Sequence, residues 1–228
     1  MDVATLQRRL KALGLDPGQV DGILGTRTYA ALMARVGAQP MGEMHLDLGR
    51  AAAKHFPAAG IITPLRLAHT LAQSSVETLG FTRLVENLNY TAERIRQVWP
   101  SRFASVAAAA PYARNPQALA NKVYGGRFGN TRPGDGWKFR GRGTKQTTFH
   151  DNYAALQEAT GMNVLDDPDQ LAEPDKGTLA GCIYWRERGC NALADADDID
   201  ALTVRVNGGR NGLPERKAAL LRAKRVLL

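Results

Sequence analysis

The sequence predicts a mainly helical fold, and three observations carry that prediction. Near the N-terminus apolar side chains recur at helical spacing, with Leu6, Leu10 and Leu13 followed by Tyr29, Leu32, Met33 and Val36. From residue 46 onward long stretches such as 63–78 keep the helical pattern and are broken by Gly or Pro. The C-terminal stretch RKAALLRAKRVLL sets Ala219, Leu220, Ala223, Val226 and Leu227 along one side of a helix.

Composition bounds the class. With 228 residues, 44% apolar and 23% charged, the chain has a globular make-up, which excludes disordered, collagenous and coiled-coil classes. One or two domains fit the length. No apolar run approaches the roughly 18–20 residues that span a bilayer. The opening MDVATLQRRLKAL lacks the pattern of a cleaved signal, so synthesis in a cytoplasm is expected. Cys182 and Cys190 cannot build a disulfide framework, and the context LAGCIYW suits a buried thiol.

Residues 3–36 read as a small helical unit. Gly14, Asp16-Pro17-Gly18 and Asp21-Gly22 supply its turns, and Thr26 is expected to cap its second helix. So short a unit buries little apolar surface and should lean on its neighbour. The expected division is a module over 1–38, a linker over 39–45 and a second domain over 46–228.

In the second domain Thr63 and Pro64 open a helix whose stripe is Leu67, Ala68, Leu71 and Ala72. Glu77 closes it among Val76, Thr78, Leu79 and Phe81, where a partly desolvated carboxyl would suit a general acid. Glu86 follows nine residues on. On one continuous helix the two would point to opposite faces, so a break at Gly80 is required for them to face each other across a groove. Two carboxylates facing a cleft are the minimum equipment for glycoside hydrolysis.

Farther on, Gly134-Asp135-Gly136-Trp137-Lys138-Phe139-Arg140-Gly141-Arg142-Gly143 precedes Gln146, Thr148, Asn152 and Tyr153, and a second Gly-rich loop runs from Val206 through Asn207 to Leu213. Glycine lets backbone approach a ligand closely, and amides and aromatic rings suit sugars. Trp99, Trp137 and Trp185 are expected as core more than as sugar platforms. His45, His55, His69 and His150 show no metal-ligand spacing with each other or with the cysteines, so neither metal nor cofactor is expected. No Ser-His-Asp or Cys-His elbow presents itself, which disfavours an amidase or peptidase.

The net charge of +8 gathers at the end of the chain, where Arg205, Arg210, Arg216, Lys217, Arg222, Lys224 and Arg225 face a single acid, Glu215. Such a segment attracts polyanions. Lipopolysaccharide is the candidate partner for this basic helix, although a helix docked on the core with a solvated basic face is the favoured reading. No nucleic-acid motif accompanies the charge.

Two resemblances add to this reading. LQRRLKALGLDPGQVDGILGTRTYAAL resembles the repeat of the peptidoglycan-binding domain type 1 family, which implies a three-helix wall-anchoring module, here shortened at its front. AHTLAQSSVETLGF, ENLNY, VYGGRFGN, GDGWKFRGRGTKQTT, DNY and VNGGRNGL together resemble glycoside hydrolase family 19, the chitinase-like family that includes many phage endolysins. That resemblance implies a two-lobed, lysozyme-like helical fold with a groove between lobes. Carried over residue by residue, Glu77 would be the general acid, Glu86 the general base, and Thr148 a holder of the attacking water. Gln146 and Asn152 would touch sugar, and Asn207 and Arg216 would line or support the groove. Val76 departs from the histidine usual before the acid, Lys145 from an apolar residue, and Phe149 from Gly or His.

The expected function is therefore peptidoglycan hydrolysis by an inverting N-acetylmuramidase in host lysis, with the carboxyls about 6.5–9.5 Å apart. It would act as a monomer on glycan strands, held in the host cytoplasm until a holin-type partner opens the way to the periplasm and wall. The alternatives are a chitinase acting on N-acetylglucosamine polymers and a non-catalytic, wall-binding phage structural protein.

Overall fold

In the computed structural model, which describes residues 1–228, thirteen α-helices and two short 3-10 turns carry the chain. The only extended pairing is two isolated bridges, Val85 with Arg142 and Arg142 with Thr147. The helices are α1 (Val3–Ala12), α2 (Thr26–Gly37), α3 (Glu43–His55), α4 (Pro64–Glu77), α5 (Ala92–Val98), α6 (Val106–Ala109), α7 (Pro116–Tyr124), α8 (Asp135–Lys138), α9 (His150–Thr160), α10 (Pro174–Glu187), α11 (Cys190–Asp195), α12 (Ile199–Asn207) and α13 (Leu213–Leu227). The chain divides into two compact units, the first made of residues 1–84, 143–146 and 171–228, the second of 85–142 and 147–170.

In the first unit local chemistry sets the helix ends. Asp2 caps α1 by accepting from Thr5 N at 3.2 Å, and Thr63 caps α4 by accepting from Arg66 N at 3.2 Å, with Pro64 in the first turn where no N–H is needed. Thr26, expected as a cap, is instead the first residue of α2. The cap position falls to Gly25, whose extended backbone starts the helix without a side-chain bond.

Gln7 explains why the first turns follow α1 as they do. Its buried amide donates to Asp21 Oδ1 at 2.8 Å and Thr28 Oγ1 at 3.1 Å, and its oxygen accepts from the N–H groups of Asp21 and Gly22. The loop between α1 and α2 is thus stapled to one side chain.

The N-terminal helices share their core with the rest of the unit. Leu6, Leu10, Leu32 and Val36 belong to the same buried cluster as Leu48, Leu71, Trp185 and Ala223. Burying each leucine is worth about 1.5–3 kcal/mol, so the first 38 residues are integral to this core. α3 packs along α2 as a third helix and begins at Glu43, inside the stretch expected as linker, which shortens the connection to residues 38–42. The two helices approach so closely at Gly49 that a Cβ there would collide with Thr26 O and lie 2.9 Å from Ala30 N.

α13 lies against α4 and α2. Its buried side is Arg216, Ala219, Leu220, Ala223, Val226 and Leu227. Arg222 donates from Nε and Nη2 to Val36 O at 2.8 and 2.6 Å, Lys217 pairs with Asp200 at 2.8 Å, and Lys224 pairs with Asp197. The apolar face of this helix is spent inside the core.

The second unit holds α5–α9 around Leu88, Ile95, Phe103, Leu119 and Val123. Thr91 and Asn115 cap α5 and α7 through Arg94 N and Ala118 N. Trp99 and Trp137 pack against this cluster, while Trp185 is fully buried in the first unit.

Two consequences follow for the N-terminal segment. Deleting residues 1–38 should leave the remainder insoluble or with a cooperative thermal transition far below that of the full chain, and Gly49→Ala should destabilise by about 1–3 kcal/mol in chemical denaturation. A truncated protein that melts like the intact one would contradict the shared core.

Candidate active site

Glu77 is the last residue of α4, and the negative end of a helix is an unfavourable place for a carboxylate. No basic residue of α4 sits in its last turn to compensate. The compensation arrives from α13, where Arg216 donates from Nη2 to Glu77 Oε1 at 2.5 Å. Arg216 is almost wholly buried, its side chain only 2% exposed against 18% for Glu77. Its Nη1 also donates to the side-chain oxygen of Gln73, one turn before Glu77, and its Nε to Asn211 O at 3.4 Å. Gln73 is held in turn by donating to Thr203 Oγ1 at 3.1 Å.

Of the apolar residues expected around Glu77, Phe81 is buried and Leu79 is 56% exposed, and the partly buried carboxylate is also gripped by a cation. Val76 packs toward Gly212, where a Cβ would sit 3.1 Å from Val76 Cγ1.

The turn after Glu77 is strained. Leu79, Gly80 and Phe81 have φ of 52°, 73° and 65°, a left-handed run that only Gly80 adopts without cost. Gly80 N donates to Ser75 O at 2.7 Å and Phe81 N to Thr78 Oγ1 at 3.0 Å. His45 on α3 clasps the turn from outside: its Nδ1 accepts from Gly42 N, leaving Nε2 to donate to Gly80 O at 3.2 Å. Burial lowers the pKa of this imidazole and so favours the neutral form that the arrangement needs.

The same unit holds Gln146 and Asn207. Gln146 adopts a left-handed φ of 51° and donates to Gly143 O at 3.0 Å and Leu84 O at 3.4 Å. Asn207 ends α12 and donates to Asn211 O at 3.5 Å, the carbonyl that Arg216 also reaches. Beside Gln146, the amine of Lys145 is buried without a hydrogen-bond partner, 4.9 Å from the Trp185 ring centre, and burial pushes it down to about 8.

In the second unit Glu86 is bound on both oxygens. Gly141 N donates to Oε1 at 2.6 Å and the Tyr124 hydroxyl to Oε2 at 2.8 Å, while Glu86 N returns a bond to Gly141 O at 3.0 Å. Burial pushes the carboxyl above its usual range, and the bonds from Gly141 and Tyr124 and the nearby Arg140 and Arg142 offset part of that rise.

Arg142 anchors the loop that presents Gly141. Buried to 2% exposure, it donates to Lys138 O at 2.8 Å, Tyr153 Oη at 3.0 Å and Asp169 Oδ1 at 2.8 Å. Thr148 and Asn152 lie in this unit at the start of α9, with Asn152 Nδ2 donating to Thr148 O at 2.7 Å. Phe149, at the cap position of α9, stands between Tyr124 and Phe128 with ring centres 5.4 and 4.9 Å away.

Each predicted residue thus takes a defined place: Glu77, Gln146, Asn207 and Arg216 in the first unit, Glu86, Thr148 and Asn152 in the second. Sequence reasoning passed over Tyr124, Gln73 and Arg142. Tyr124 and Arg142 lay within motifs already singled out, but no spacing announces which side chain touches a carboxylate. No group of three His, Cys, Asp or Glu side chains gathers as a metal site.

Comparison with known proteins identifies the family and the fold. A glycosyl hydrolase family 19 domain-containing protein of Haemophilus influenzae (strain ATCC 51907 / DSM 11121 / KW20 / Rd) is 38% identical over 161 residues, which cover 69% of this chain and 78% of that protein. A bacterial family 19 chitinase of known structure superposes with a TM-score of 0.56 at 20% identity, over 87% of this chain and 93% of that one. Chitinase C from Streptomyces griseus HUT6037 does so with a TM-score of 0.55 at 19% identity, over 87% and 77% of the two chains. Residues 1–34 match the family described as Putative peptidoglycan binding domain. Helical fold and relatives define a glycoside hydrolase. The chain belongs to glycoside hydrolase family 19.

Carboxyl-carbon NMR titration should find Glu86 above the ordinary glutamate range, and Tyr124→Phe should move it further up, because the lost hydroxyl bond favours the charged form. A Glu86 that titrates at or below the ordinary value, or is indifferent to Tyr124→Phe, would contradict the assigned environment.

Proposed function

We propose that the protein is a peptidoglycan hydrolase of the endolysin kind, an inverting N-acetylmuramidase that cuts the β-1,4 glycan of the bacterial wall. The observation that carries this reading is the N-terminal segment. Its resemblance to a peptidoglycan binding domain, built into the same core as the helix that bears Glu77, favours the wall over chitin as substrate.

In this mechanism Glu77 must first take up a proton from solvent, and in that protonated form it gives the proton to the glycosidic oxygen as the bond to the anomeric carbon breaks. Arg216 and Gln73 fix the direction of its carboxyl. Water enters from the opposite face of the sugar and gives up its proton to Glu86, and Thr148 helps to hold it. Burial strengthens Glu86 as a base. Gln146, Asn152 and Asn207 would bind sugar hydroxyl and acetamido groups. The enzyme would act as a monomer and reach the wall from the host cytoplasm once a holin-type partner has opened the membrane. A second reading, a chitinase, is favoured by the names of the solved structures that superpose on the chain.

Digestion of purified peptidoglycan, with mass analysis after borohydride reduction, tests the proposal. Reduced muramic-acid ends are expected, and Glu77→Gln or Glu86→Gln should lower their rate of release by about 10²–10⁴-fold. Reduced glucosamine ends would replace the muramidase with a glucosaminidase, and anhydro-muramic ends would replace hydrolysis by transglycosylation. Cleavage of chitin oligomers without any release from peptidoglycan would establish the second reading.

A further inference from the structure

The first unit carries an open groove of about 790 Å³ lined by Tyr184, Arg188, Asp198, Asp200, Arg205 and Arg210 among others. That volume lies in the range of about 300–1,000 Å³ typical of ligand sites. Its charges are unevenly employed. Asp200 is paired with Lys217 at 2.8 Å, and Asp198 caps α12 by accepting from Ala201 N at 2.9 Å. None of the three arginines has a carboxylate partner. The basic C-terminal segment sorts in the same way. Arg216, Lys217, Arg222 and Lys224 are engaged by Glu77, Asp200, Val36 O and Asp197, whereas Arg205 and Arg210 are left facing the groove.

Gathering unpaired guanidinium groups in one concavity costs energy through their mutual repulsion, and the field it produces is that of an anion site. Two of the arginines, Arg188 and Arg205, are also held in place. Arg205 donates from Nη1 to Arg188 O at 2.6 Å, and the Arg188 guanidinium lies 4.8 Å from the Tyr184 ring centre. The Tyr184 hydroxyl donates to Val206 O at 3.0 Å and so pins the end of α12. From there residues 206–212 lead to Asn211, whose carbonyl receives Arg216, the partner of Glu77. The groove therefore adjoins the acid-bearing corner of the same unit, and the charge of Glu77 is felt at the Tyr184 hydroxyl.

We propose that this groove binds the free carboxylates of the peptide stems carried by muramic residues, so that Arg188, Arg205 and Arg210 select stem-bearing glycan over uncharged glycan. This rests on the peptidoglycan reading of the active site. Chitin is uncharged and offers such a groove nothing, whereas a stem carries planar carboxylates that match the guanidinium fork. The pairs are solvent-exposed, so each contributes modestly and their sum appears as selectivity.

The test uses the full chain and a triple variant, Arg188→Gln, Arg205→Gln and Arg210→Gln, with its melting temperature checked against wild type. Substrates are purified peptidoglycan, the same glycan stripped of stems by an amidase and then amidated at the lactyl carboxylates that this exposes, and chitin oligomers. For wild type a lower KM on stem-bearing glycan is expected. In the triple variant that KM should rise about tenfold, with kcat and the rate on stripped glycan unchanged. Equal losses on both glycans, or no loss, would overturn the proposal. Calorimetry with a free stem peptide gives an arm independent of cleavage. Binding is expected that weakens with salt, disappears when the carboxylates are amidated and is lost in the triple variant. A groove that ignores the stem peptide, or prefers lipopolysaccharide or an oligonucleotide to it, would refute the assignment. If wild type cuts chitin but not peptidoglycan, the muramidase reading fails, and the calorimetric arm still decides the groove.

Discussion

One buried guanidinium organises the corner of the first unit that holds Glu77. Arg216 is sealed from solvent on α13, and a charge in that position is tolerable only if it is paired and hydrogen-bonded. Glu77 and Gln73 on α4 provide the pairing, and Asn211 O, in the loop that leads into α13, accepts from Nε. Removing one partner of such a pair leaves an uncompensated charge and typically costs about 3–5 kcal/mol. Glu77 in turn needs the cation, because it stands at the negative end of α4. The carboxylate that would protonate the substrate is therefore positioned by the C-terminal helix as much as by its own.

The N-terminal segment is tied to the same corner. Gly37 lies so close to Gly80 that a Cβ on it would sit 2.7 Å from Gly80 O, and His45 hydrogen-bonds that same carbonyl. The left-handed run after Glu77 is thus held by residues that come just after the region matching a wall-binding family. A segment that reads as a separable anchor thus leads directly into residues that hold the turn after Glu77. This arrangement follows from size: a unit of about 36 residues cannot bury enough apolar surface alone and borrows the core of its neighbour.

The helices were legible because their signals are local. Thr63-Pro64 starts α4 as expected, the apolar positions expected in α13 are the ones that are buried, and Gly80 follows the end of the acid's helix. What was illegible depends on contacts distant in sequence. Arg216 shares the register of Ala219, Leu220 and Ala223, yet its charge reads as part of the basic face, and nothing in the spacing said that Glu77 would meet it in the core. Tyr124 sits thirty-eight residues from the carboxylate it binds. The start of α3 at Glu43 was hidden because Gly37 and Gly42 bracket a short connection that reads as a longer linker. Thr26 failed as a cap because Gly25 already provided the extended backbone.

The most direct test of this account is a double-mutant cycle on folding stability, with Glu77→Gln, Arg216→Met and the double variant compared with wild type in denaturant unfolding. A coupling energy of about 1–3 kcal/mol, with the double variant less destabilised than the sum of the single ones, is the predicted result. Strict additivity would mean that the pair does not hold the acid-bearing corner, and would contradict the account.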